Sequence, residues 1–244
     1  MSLAIVIGAG VGTGSSIARA FASRGHNVAL LARTLEKVQK VGEDIKKEIP
    51  NVKTYAIACD ASKKESLEAA MEEIKRVCKD DKLKLKAAIW NAAPGFLIKP
   101  FLEIDPAEFE AGQRISPLGT FIFAQHALRQ LLSHGEGGSL LFTGATASMR
   151  GGLNLAGFSP HKFATRSLAQ QSLAREFGPQ GIHVGYVVVD GLINTPHTSG
   201  WNKDPKPDQL LEPDAIAQAF LFLHEQPRSA WTQELDLRPY IEKF

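Results

Sequence analysis

Cysteine is scarce in this chain: Cys59 and Cys78 are the only two among 244 residues. They have no CxxC spacing and no histidine at zinc-finger distance, which excludes a disulfide framework and a structural zinc site. Such a thiol pair fits a reducing compartment, most simply the cytoplasm. Charge of one sign is also lacking. Twenty-eight Lys+Arg face 26 Asp+Glu, a net +2, too small a surplus to build a polyanion-binding surface, so no nucleic acid partner is expected. No run approaches the ~18 apolar residues of a membrane span. The apolar start Met1–Gly8 is short for a secretory leader and lacks its basic residues. No membrane partner is expected, and cytoplasmic localisation is. Neither HExxH nor a carboxylate cluster at ligand spacing occurs, so no metal is expected.

What is present is apolar and periodic. Hydrophobic residues make up 44% of the chain and charged ones 22%, enough to bury a sizeable core and too apolar for disorder. Short strand-like runs alternate with segments of helical period. The runs are Leu3–Ile7, Val28–Leu31, Thr54–Cys59, Leu85–Trp90, Ser139–Thr143 and His183–Val189. The helical segments are Ser15–Arg24, Leu35–Ile49, Lys64–Cys78, Pro106–Ser133 (with Pro117 inside it), Pro160–Phe177 and Pro213–His224. Continuous apolar strands, each followed by a helix, predict a parallel sheet covered on both faces. With right-handed crossovers this is a single-domain α/β Rossmann fold over residues 1–244, a doubly wound parallel sheet of about seven strands. Leu192–Glu212, rich in proline and centred on Trp201, reads as a lid over a binding site, with a packed surface excursion as the alternative.

Between the first strand and first helix lies Gly8-Ala9-Gly10-Val11-Gly12-Thr13-Gly14. Glycines there let the backbone approach a dinucleotide pyrophosphate, and the helix N-terminus supplies amides and positive dipole. Ser15 and Ser16 are further candidate donors. The spacing is GxxxGxG rather than GxGxxG. The second strand ends at Ala32-Arg33-Thr34, with Glu36 further on. No carboxylate stands where a ribose 2′-hydroxyl would be held, and Arg33 can pair with a 2′-phosphate instead, which favours NADP(H) over NAD(H).

This pattern resembles the short-chain dehydrogenase/reductase family over essentially the whole chain. Gly8, Gly12 and Gly14 match its glycine motif, with Ile7 where Thr is usual. Asp60, followed by Ala61, matches its acidic position near the adenine. Asn91-Ala92-Ala93 resembles its NAG motif, Lys162 matches the Lys of YxxxK, and Gly191 and Thr195, flanking Ile193, match part of PGxxxT, with Asp190 in place of Pro. Glu212–Phe244 looks like its late helix and closing strand. The cofactor-binding set implied is Gly8, Gly12, Thr13, Gly14, Arg33, Asp60, Ala61, Asn91, Ala92, Lys162, Gly191, Ile193 and Thr195.

The catalytic positions depart from the family. Its Tyr donates a proton as hydride arrives, its Lys lowers that Tyr pKa and holds the nicotinamide ribose, its Ser orients the substrate oxygen, and its Asn helps a proton relay. Here the Tyr position is Phe158, the Ser position Ala145 and the Asn position Ser116; Lys162 alone survives. Losing a placed general acid costs roughly 10²- to 10⁴-fold in rate. Thr146 is a candidate replacement hydroxyl, or else a turn residue. Asp190 could pair with Lys162 or act as an acid, or merely stabilise a turn. His161 neighbours Lys162 but points about 100° away on a helix, and His197 and Trp201 lie in the lid segment. Tyr55 and Tyr186 read as core, and Tyr240 sits near the C-terminus.

The expected activity is hydride transfer between NADP(H) and a small-molecule carbonyl or alcohol by an atypical oxidoreductase. The alternatives are a dinucleotide-binding protein without redox turnover and a non-redox lyase or isomerase in the same pocket. Pro106–Ser133 and Pro160–Phe177 carry apolar residues on more than one face, among them Phe121, Phe163 and Leu168. The resemblance implies homodimers or homotetramers built on these helices.

Overall fold

The computed structural model describes residues 1–196, 198, 200–201 and 204–241. Strands β1 (Ser2–Ile7), β2 (Asn27–Ala32), β3 (Thr54–Ala58), β4 (Lys84–Trp90), β5 (Gly138–Thr143), β6 (Ile182–Val189) and β7 (Glu234–Leu237) form one sheet in the order β3-β2-β1-β4-β5-β6-β7. Every neighbouring pair is parallel. The chain therefore crosses from β3 on one edge to β4 beside β1, and the strand order reverses at the β1/β4 junction. In such sheets ligands bind beyond the C-terminal strand ends at that reversal.

Alternation along β1 explains why both faces are covered. Leu3, Ile5 and Ile7 point into one core with Leu67 and Ile74 of α3 (Lys64–Asp80) and Phe123 and Leu131 of α5 (Thr120–Leu132). Ala4 and Val6 point into the other, with Phe21 of α1 (Thr13–Ser23), Val38 and Ile45 of α2 (Leu35–Glu48), and Phe220 of α8 (Pro213–Glu225). A fully buried side chain of this size contributes roughly 1.5–3 kcal/mol. None of these helices is both long and apolar enough to cross a membrane.

The helix expected over Pro106–Ser133 is interrupted. α4 (Pro106–Gln113), opened by an Asp105/Glu108 capping box, gives way to a widened turn over Arg114–Gly119 before α5 begins. Ser116 leaves helical geometry at φ −135 and ψ 117. Pro117 is the cause: it has no N–H to continue the ladder, and its ring drives the preceding residue toward extended backbone. By contrast, Ser159–Phe177 runs on as α6 (Ser159–Arg166), a wider segment over Ser167–Leu173 and α7 (Ala174–Phe177). Leu192–Glu212 is anchored at its base, where Ile193 bridges Leu211 and Asn194 N–H donates to the Leu211 carbonyl at 2.8 Å.

Candidate functional site

The glycine turn closes tightly enough to exclude side chains. Gly8 and Gly12 adopt φ +82 and +106, open to glycine at little cost. A Cβ on Gly14 would stand 2.1 Å from the Gly8 carbonyl oxygen, and one on Gly12 2.9 Å from Thr195 Cγ2. α1 begins directly after this turn without a side-chain cap; the Ser15 amide donates to the Gly10 carbonyl at 3.1 Å, and the Thr13 and Gly14 amides keep their donor capacity for a ligand. Ser15 donates to the Gly12 carbonyl at 2.8 Å and Ser16 is buried. The Ser15 hydroxyl thus holds the turn rather than extending from it.

Asn91 fastens the turn to β4. Its amide donates to the Gly8 carbonyl at 3.0 Å, and its own side-chain oxygen accepts from Thr143 of β5 at 2.9 Å. Beside it, Arg33, Asp60, Ala61, Asn91 and Ala92 line a recess at the ends of β2 and β3. Arg33 is exposed there and makes no ion pair among the described residues. Asp60 accepts from the Ser62 hydroxyl at 2.7 Å and its amide at 3.0 Å. The Ser62 hydroxyl is the main reason its carboxyl lies below the usual range, with Lys63 and Arg33 adding to it.

On the other side of the turn a cavity of about 440 Å³ brings together Gly8, Thr13, Gly14, Asn91, Ala145, Thr146, Phe158, Lys162, Gly191, Ile193 and Thr195. Lys162 is buried at its base. Its ammonium faces the Thr143 carbonyl at 3.4 Å and has no carboxylate partner among the described residues. Burial alone lowers its pKa to about 8. Phe158, at the N-terminus of α6, packs against Phe96 with ring centres 4.8 Å apart, and Phe96 meets the edge of Trp201 at 5.0 Å. Ser116 is buried in the interrupted turn and does not line this cavity.

Asp190 is bonded away from Lys162. Its carboxylate, 3% exposed, accepts the Thr146 hydroxyl and lies 3.5 Å from each of Arg150 and Arg238. Thr146 lines the cavity, yet its hydrogen is directed at Asp190. His161 leaves the cavity side of α6 and packs in a tilted contact on Phe109 with ring centres 4.7 Å apart; burial lowers its pKa. His197 and Lys203 lie outside the described residues. Tyr186 is buried with its hydroxyl near the Lys162 carbonyl, and Tyr240 is exposed. Sequence reasoning missed Phe96, Ile98, Leu155, Arg150 and Arg238. The one available signal was an apolar stretch, Phe96-Leu97-Ile98, in the loop after β4, where loops otherwise carry polar residues.

Comparison with known proteins agrees with this architecture. The family profile described as short chain dehydrogenase matches residues 2–206. Carbonyl reductase family member 4 of Danio rerio is 29% identical over 230 residues, covering 92% of each chain. A short-chain dehydrogenase structure from Rhodopseudomonas palustris is 32% identical, covers 98% of this chain and 99% of its own, and superposes with a TM-score of 0.81. An alcohol dehydrogenase from Thermococcus sibiricus, complexed with 5-hydroxy-NADP, is 28% identical over 100% of this chain and 98% of its own, with a TM-score of 0.85.

Proposed function

Because the chain belongs to the short-chain dehydrogenase family, we propose that it is an NADP(H)-dependent oxidoreductase that acts on a carbonyl or alcohol carbon without the family's proton donor. The observation that carries this reading is a glycine cradle facing a buried lysine with no carboxylate partner among the described residues. An uncompensated buried ammonium costs stability, which is repaid when an acceptor arrives. Ribose hydroxyls would supply that acceptor. Gly8, Gly12 and Gly14 let the turn close against the protein's own atoms without side chains, which sets the N-terminus of α1 toward a pyrophosphate, and Arg33 is open to a 2′-phosphate.

When bound, the reduced nicotinamide supplies hydride. Lys162 holds the ribose end and projects positive field toward oxygen that gains charge. Phe158 shields the ammonium from water and has no proton to give. Thr146, whose hydrogen goes to Asp190, positions that loop. The proton therefore comes from water in this reading, and simple ketones are reduced slowly, by roughly 10²- to 10⁴-fold. The zebrafish relative's name as a carbonyl reductase and the nucleotide in the Thermococcus structure support the acceptor and cofactor classes.

Stopped-flow mixing of protein and NADPH with a carbonyl panel tests it; NADPH bound without oxidation by any carbonyl would contradict it. A second reading, a dinucleotide-binding subunit without turnover, is favoured by one observation: the Phe158 ring, 3% exposed, fills the donor's place against Phe96. Self-association completes the proposal. Leu118 and Phe121, 51% and 46% exposed, line one groove with Leu168 between α5 and α6, and Phe163 of α6 is 40% exposed, apolar surface suited to a second copy. The two buried free thiols fit the cytoplasm.

A further inference from the structure

The wall facing Lys162 is apolar and largely aromatic. Phe96, Ile98, Leu155, Phe158, Leu192 and Trp201 line it, and among the described residues no carboxylate or guanidinium does. Most of the polar side chains around it are already engaged. Thr143 donates to Asn91, Asn91 to Gly8, Thr146 to Asp190, and Thr195 shares a hydrogen bond with Thr198, which also donates to the Ile193 carbonyl. Away from the glycine turn, where Thr13 and the first α1 amides lie, Lys162 is the one cationic side chain lining the cavity among the described residues. A sugar, with many hydroxyls to satisfy, would lose most of its hydration against this wall without replacement. A flat, uncharged ring system loses little and gains contact with Phe96 and Trp201, both about half exposed.

We propose, building on the oxidoreductase reading above, that the preferred substrate is a flat conjugated dicarbonyl of the quinone class. The chemistry of the missing donor is the reason. Hydride addition to a saturated ketone leaves an alkoxide, whose conjugate acid lies near the ~15.7 of water, so an acid must act in the same step. Reduction of a quinone leaves a phenolate-type oxygen with a conjugate acid near ~10, as for tyrosine. That anion survives beside an ammonium without immediate protonation.

The step balances. Two electrons and one proton pass as hydride from the reduced nicotinamide nucleotide to one quinone oxygen. The ring electrons reorganise into an aromatic system, the second oxygen takes the negative charge, and nothing leaves. That oxygen then takes one proton from water, giving the hydroquinone. Lys162 stabilises the intermediate charge, while Phe158 and Trp201 flank the ring.

The test compares NADPH oxidation by 1,4-naphthoquinone with that by 1-tetralone, a bicyclic ketone of similar size, after subtracting the reaction without protein. The expected naphthoquinone rate exceeds the tetralone rate by roughly 100-fold or more. In Phe158→Tyr that ratio falls about tenfold or more, because only the ketone needs the restored acid. Naphthoquinone should also quench the fluorescence of the NADPH-bound protein, and Trp201→Phe should remove most of that quenching. A wild-type ratio within about tenfold of unity overturns the proposal even if Phe158→Tyr does not fold. A ratio unchanged in a folded, NADPH-binding Phe158→Tyr overturns it too, as does NADPH binding with neither compound reduced. Failure to bind NADPH at all would instead strike at the oxidoreductase reading beneath it.

Discussion

The ammonium of Lys162 stands 5.9 Å from the centre of the Phe158 ring, within reach of the negative face of its quadrupole. One helical turn separates the two residues, so the backbone that would aim a phenol at a substrate still aims a ring there. In the proposed reading the scaffold for proton transfer remains and the transferable proton is gone.

Restoring the hydroxyls should therefore restore ordinary carbonyl chemistry. Phe158→Tyr combined with Ala145→Ser should raise kcat/KM for a saturated ketone by about 10²-fold, more than the product of the single changes, since the groups act as a unit. Steady-state kinetics of the four proteins of the cycle checks this. Equal ketone rates in all four would contradict it.

Arg33 should select between the two nicotinamide nucleotides. A charge-assisted contact to a phosphate is worth about 1.5–3 kcal/mol. Arg33→Ala should weaken NADPH binding by roughly 10- to 100-fold and leave NADH within about threefold. Fluorescence titration with both nucleotides at one ionic strength decides it. An equal loss for both would remove the 2′-phosphate role.

Lys162 should make stability depend on pH in a definite direction. Burial lowers its pKa from 10.5 to about 8. Between those values the unfolded chain holds a proton that the native state has released, so stability rises with pH across that window. Below it both states are protonated and the native state bears the full desolvation cost. Lys162→Met should therefore be more stable than wild type at pH 7, by up to about 3 kcal/mol, with the gap closing between pH 8 and 10.5. Urea unfolding of both proteins across that range checks it; a gap that does not change with pH would contradict it.

The apolar groove between α5 and α6 should hold a second copy of the chain. Phe121→Asp places a charge on that face, and should shift the protein toward monomer in sedimentation velocity while leaving its circular dichroism spectrum unchanged. An oligomer of unaltered size would argue against this face.

Much of this was legible in the residues. The strand runs of β1 to β6 are continuous apolar stretches bounded by polar or glycine turns, and each was readable within a residue or two at either end. The glycine turn was legible because its chemistry is local. The break at Ser116 was harder, since the surrounding residues keep helical spacing and Pro117 acts on backbone alone. The partners of Asp190 were not legible: Thr146 and Arg150 follow β5 and Arg238 follows β7, and they meet Asp190 only through the sheet order. The Phe96–Trp201 contact likewise joins two loops that share no periodicity.

Titration calorimetry of the wild-type protein with NADPH and NADH tests the central claim most directly. The account predicts saturable one-site binding of NADPH, tighter than NADH by about tenfold or more, with a raised Tm at saturation. No heat and no Tm change with either nucleotide would contradict it.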